Sequence, residues 1–152
     1  MVNVSGVPKE RYKEIAKDVY ENLRLADKLE ARHLGCDRWE YVYDSMRSSD
    51  ILYQVTDDAG NVLGVTGTAP ISGDSGFCVW FLGTKKLACH KRDFATTGKA
   101  LVKEYLFRKG ELKNFISVEN HEALTFIKHN GATLLDPVKL GDGLFVPFAI
   151  KR

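Results

Sequence analysis

Residues 77–83 read Phe-Cys-Val-Trp-Phe-Leu-Gly. An unbroken apolar run of this length suits a central strand buried on both faces. Apolar residues then return with helical spacing at Phe94, Leu101, Val102, Tyr105 and Leu106, with Gly98 on the same stripe. Gly110 suits the left-handed cap that ends such a helix. A second strand runs from Phe115 to Val118 through Ile116. Asn120 is placed to cap a short helix through Ala123, Leu124 and Ile127, which Gly131 closes.

Upstream of this segment, Tyr12, Ile15, Ala16, Val19, Tyr20 and Leu23 form one helical stripe, with Pro8 near its start. A second helical piece passes Leu25 and Leu29 and stops near Gly35. Asp37 and Glu40 have capping-box spacing ahead of a third stripe, Trp39, Val42, Tyr43 and Met46. Residues 51–56 and 62–69 are β-branched and aromatic, and Asp57-Asp58-Ala59-Gly60-Asn61 between them is turn chemistry, which predicts a hairpin. Downstream, residues 132–135 and 144–150 read as strands, with Pro147 predicting an edge or bulged position for the last. The order predicts one domain over residues 1–152: a mixed α/β layer fold with helices packed on a mostly antiparallel sheet.

Composition narrows the function. The chain has 22 basic and 20 acidic residues, a net charge of +2, which argues against nucleic acid as a partner. A local basic cluster remains at Lys85, Lys86, His90, Lys91 and Arg92. No apolar run nears the roughly 20 residues of a membrane span, and residues 1–11 lack a signal-peptide core, so no membrane role and a cytoplasmic location are expected. Cys36, Cys78 and Cys89 are odd in number, as expected of reduced thiols. His33, His90, His121 and His129 show no metal-ligand spacing with them, so no metal is expected. No Ser or Cys sits on a nucleophile elbow. Asp27 and Glu30 lie three apart and share a helix face. Either serves as a general base or simply as part of a solvated face, and Glu119, at a strand end, is a further candidate base.

The segment Trp80-Phe81-Leu82-Gly83-Thr84, the strand ending Asn114-Phe115-Ile116-Ser117-Val118, and Asn120-x-x-Ala123 with Gly131 together resemble the central half of a GNAT N-acetyltransferase. Leu23-Arg24-x-x-Asp27-x-x-Glu30 and Val79–Thr84 are similar to a phage branch of that family, which includes the internal virion protein A of podoviruses. The resemblance spans about Arg11 to Leu135. It implies helices on both faces of the sheet and two central strands that splay apart, here Phe77–Gly83 and Lys113–Glu119. It also implies acetyl-CoA as substrate, with its pantetheine arm against Phe81, Leu82 and Gly83. Its pyrophosphate would rest on a helix N-terminus at Thr96, Thr97 and Gly98, aided by Lys91 and Arg92, with Asn120 nearby. Glu30, then Asp27 or Glu119, would take the proton of an acceptor amine, either a small molecule or a host protein.

Two positions depart from the family pattern. The glycine-rich phosphate loop aligns with Asp93-Phe94-Ala95-Thr96-Thr97-Gly98, where only the last glycine survives. The tyrosine that protonates the departing thiolate aligns with Ile127. Two function classes therefore stand side by side: a phage-encoded N-acetyltransferase of the infected cell, and a non-catalytic scaffold of the same fold acting in virion assembly or on host proteins. A homo-oligomer is open to either.

Overall fold

The computed structural model describes residues 1–152. Eight strands form one sheet: β1 (Val2–Gly6), β2 (Ile51–Asp57), β3 (Val62–Pro70), β4 (Phe77–Gly83), β5 (Glu111–Ser117), β6 (Thr133–Leu134), β7 (Val138–Leu140) and β8 (Gly143–Lys151). Their spatial order is β1-β2-β3-β4-β5-β8-β6, with β7 also on β8. Only β4 and β5 run parallel; the other pairs are antiparallel. The helices are α1 (Tyr12–Glu21), α2 (Leu25–His33), α3 (Trp39–Arg47), α4 (Lys91–Lys109) and α5 (His121–His129). No helix is long and apolar enough to cross a membrane.

The α/β class and the mostly antiparallel sheet match expectation. Two cores sandwich the sheet. On one face Ile15, Val19, Val42 and Met46 of α1 and α3 meet Val65 and Leu82. On the other, Val102 and Tyr105 of α4 and Ile127 of α5 meet Leu112, Ile116, Phe148 and Ile150. Alternation along β4 feeds both layers, with Trp80 and Leu82 to one and Phe77 and Val79 to the other. Gly110 and Gly131 hold the positive φ their cap positions require.

The structure adds to the expected elements and corrects two local expectations. The polar start of the chain forms β1, whose register on β2 aligns Val2 with Asp57; its one buried side chain is Val2, too little apolar pattern to read from sequence. The Asp37–Glu40 capping box does not form, because Asp37 instead accepts bonds from the Tyr20 hydroxyl and from Arg32. Finally β8 is interior, flanked by β5 on one side and by β6 and β7 on the other. Pro147 is tolerated there because its carbonyl, and hence its ring nitrogen, faces the break between β6 and β7, where Leu135 N–H is its partner.

Candidate active site

β4 and β5 share two paired positions, Phe77 with Leu112 and Cys78 with Lys113. Past them the strands part, as the family resemblance implies. Asn114 stands at the fork. Its Nδ2 donates to the Val79 carbonyl at 2.6 Å, satisfying a group that would otherwise seek the β5 backbone.

Along a strand, alternate residues aim their backbone polar groups to the same side. Val79 faces the gap through Asn114. Gly83 faces it too: its N–H donates to Asp27 at 2.9 Å and its carbonyl accepts from Arg24 N–H at 2.9 Å. Phe81 lies between them in the same orientation, and β5 does not pair with it. The Phe81 N–H and C=O therefore open onto the gap.

Helix α2 lies across the mouth of this V. Asp27 grips β4, as just described. One turn on, Glu30 Oε1 accepts the Ser117 N–H of β5 at 3.0 Å and the Asn120 amide at 3.1 Å. At the end of α2, His33 Nδ1 meets Asp142 Oδ1 at 2.8 Å in the turn joining β7 and β8. Asn120 is shared, since its Oδ1 caps α5 by accepting the Ala123 N–H at 3.3 Å. Arg32 and His33 in the last turn of α2 suit the negative end of its dipole.

The V and the layers around it enclose a cleft of about 760 Å³. Asp27, Glu30, Phe81, Leu82, Lys91, Gly98 and Asn120 line it, so seven of the residues proposed from sequence converge. Asp27 is only 4% exposed, and its Oδ2 takes Arg24 Nε at 3.0 Å, Arg24 Nη2 at 2.9 Å and the Gly83 N–H. Burial pushes its carboxyl up, while Arg24 and Gly83 pull it down. With its partners so placed, Asp27 is a brace and is not poised to abstract a proton. Burial also raises the Glu30 carboxyl, opposed by Asn120 and Ser117. Its Oε2 accepts no hydrogen bond from the protein, which leaves one oxygen for the cleft. Glu119 sits on the exposed turn after β5, off the cleft wall.

The expected phosphate loop is not a loop. A 3-10 segment, Lys85–His90, leads directly into α4 at Lys91. Thr96, Thr97 and Gly98 therefore lie in the second turn, where backbone N–H groups bond back to the first. The free donors of this helix start are those of Lys91, Arg92 and Asp93. Phe94 packs on Phe81 with ring centroids 4.8 Å apart. Gly98 serves helix packing, since a Cβ there would lie 2.9 Å from the Phe126 ring. Thr96 and Lys91 edge a second, polar groove between α4 and α5, and Arg92 is exposed.

The structure adds residues that sequence reasoning missed. Arg24, Asn114, Tyr41 and Tyr105 all line the cleft. Burial pushes the Tyr41 phenol well above its ordinary value and Tyr105 up to about 12, so both stay neutral donors. Tyr105 is tied to Thr66 at 3.2 Å. Arg24 and Asn114 fall in segments that carry the resemblance, and asparagine is in addition depleted in strand interiors.

No protein-family model matches this sequence, and no curated protein does. Solved structures do match. An acetyltransferase of the GNAT family from Bacillus anthracis superposes with a TM-score of 0.68 at 11% identity, over 99% of this chain and 94% of that one. Spermidine N-acetyltransferase from Vibrio cholerae, in complex with CoA and spermine, gives 0.66 at 11%, over 99% and 95%. The ribosomal-protein-S18-alanine N-acetyltransferase from Escherichia coli gives 0.65 at 12%, over 99% and 94%. The splayed strands, the layers that flank them and these superpositions agree on one architecture: this chain has the fold of the GNAT N-acetyltransferases.

Proposed function

We propose that residues 1–152 form a single acetyl-CoA-dependent N-acetyltransferase domain. The observation that carries this reading is the open V between β4 and β5, with the Phe81 backbone on one wall and Glu30 at its mouth. The residues fit the substrate. The Phe81 N–H and C=O suit an amide of an extended pantetheine arm. The start of α4 offers N–H donors and a partial positive charge for a pyrophosphate, with Lys91 and Arg92 beside them. The thioester supplies an activated acetyl group. Glu30 Oε2 accepts a proton from the acceptor's ammonium, because only the neutral amine is nucleophilic. The amine lone pair forms the C–N bond, the C–S bond breaks, the new amide nitrogen gives its surplus proton to solvent, and the sulfur takes one from solvent, since Ile127 is a buried apolar residue where the family has its acid.

The CoA- and spermine-bound Vibrio cholerae relative supports acetyl-CoA and an amine acceptor for this chain. The Leu23–Glu30 resemblance supports a phage origin, with action in the cytoplasm of an infected cell. A second reading, a scaffold that has lost catalysis, is favoured by one observation: Asp93 places a negative charge in the first turn of α4, where the phosphates would sit. Calorimetric titration with acetyl-CoA, followed by a free-thiol assay with amines, separates the two. Binding with thiol release is expected. No binding at millimolar acetyl-CoA overturns the enzyme reading.

A further inference from the structure

We infer that the acceptor is a monocationic amine carried on an apolar body, and that polyamines are rejected; this rests on the acetyltransferase reading above. Three carboxylates line the cleft: Asp27, Glu30 and Glu122. Asp27 is closed by Arg24 at 2.9 Å, and Glu122, in the first turn of α5, stands beside Lys91 at the end of the cleft where the pyrophosphate is placed, away from the mouth of the V. Glu30 is held only by neutral donors, the Ser117 N–H and the Asn120 amide. The cleft therefore presents one carboxylate free to meet a cation. Lys85 adds a further positive charge to the wall. A polyamine docked by one nitrogen at Glu30 would carry its other ammonium groups toward Arg24 or Lys85, with no acid free to pair them there.

The surroundings of Glu30 are apolar. Leu34, the C-cap of α2, follows it by one turn and so continues its face. Phe115 precedes Ser117 by two residues on β5, on the same side of that strand. Leu25, Leu34 and Phe115 all line the cleft, yet remain 67%, 41% and 44% exposed. Large apolar side chains left open at the rim of a cleft mark a surface that a ligand covers. The amine would meet Glu30 Oε2 while its body lies along Leu34 and Phe115. The ammonium loses one proton to Glu30, the C–N bond forms and the C–S bond breaks. The products are an amide, a thiol and one proton passed to solvent.

The full chain is assayed for thiol release from acetyl-CoA with phenethylamine, hexylamine, spermidine and lysine. The expected result is a kcat/KM for phenethylamine at least about tenfold above that for spermidine or lysine. Leu34→Glu and Phe115→Glu, both at solvent-exposed sites, should each shift preference toward spermidine, with acetyl-CoA affinity in calorimetry unchanged. Equal or greater activity on spermidine or lysine in the unaltered chain overturns this inference but not the enzyme reading. A chain that binds acetyl-CoA yet acetylates neither apolar amine overturns it as well. Failure to bind acetyl-CoA overturns both.

Discussion

Asp27 and Glu30 stand one turn apart on α2 and hold opposite strands of the V, Asp27 the end of β4 and Glu30 the end of β5. Two acids that share a helix face thus have different work. Asp27 is enclosed by an arginine and a backbone N–H, whereas Glu30 keeps one oxygen toward the cleft.

Asp27→Ala should destabilise the domain by about 3–5 kcal/mol, because it leaves Arg24 and the Gly83 N–H without their acceptor inside a low-dielectric wall. Denaturant unfolding measures this. A loss under about 1 kcal/mol would show that α2 is not anchored through this pair.

Glu30→Gln keeps an oxygen for Ser117 and Asn120 but removes the base. Thermal stability should change little and acetyl-CoA affinity not at all, while turnover falls by about 10²–10⁴. Turnover within about threefold of the unaltered chain would assign proton removal to another group.

The Glu30 carboxyl must be ionised to act, and burial raises its pKa above the ordinary glutamate value. The acidic limb of kcat/KM should therefore lie above that of an exposed glutamate, with activity gained as pH rises through it. Asn120 holds that pKa down, so Asn120→Ala should move the limb to still higher pH. It also removes the α5 cap, at a cost of about 1 kcal/mol. A limb that stays put, or moves to lower pH, contradicts the assignment.

Lys91 and Arg92 flank the free N–H groups of α4 and are exposed, so the double change Lys91→Ala, Arg92→Ala should leave folding intact. Removing one charge-assisted hydrogen bond to a phosphate costs about 1.5–3 kcal/mol, about tenfold to a hundredfold in acetyl-CoA affinity. Unchanged affinity in calorimetry would place the phosphates elsewhere.

The strand from Phe77 to Gly83 and the helix after it are legible in the sequence because continuous apolar runs and helical periodicity are strong local signals, whereas the divergence of that strand from β5 is implied only by the family resemblance. Val102, Tyr105 and Ile127 occupy apolar stripe positions and are buried; Trp80, Leu101 and Leu124 occupy equivalent positions and are half-buried, being at or near the cleft. What the sequence hides are relationships between distant segments. Nothing near Asp27 in sequence reveals that its partner is the N–H of Gly83, and nothing near Glu30 reveals Ser117. The free donors of α4 lie one helical turn before Thr96–Gly98 for a related reason. Aligning Gly98 with a motif glycine assigns it to ligand contact, whereas its lack of a side chain answers to Phe126.

Asn114 is the stop on a zipper. Parallel pairing of β4 and β5 advances two positions and halts where that amide caps Val79. Each further residue of pairing would close about 3.3 Å of the crevice from its narrow end. How far a linear molecule can push its tip between the two ribbons is thus measured out by one side chain, and a chain with an aliphatic residue at this position would be free to zip onward and offer the same wall with a shorter reach.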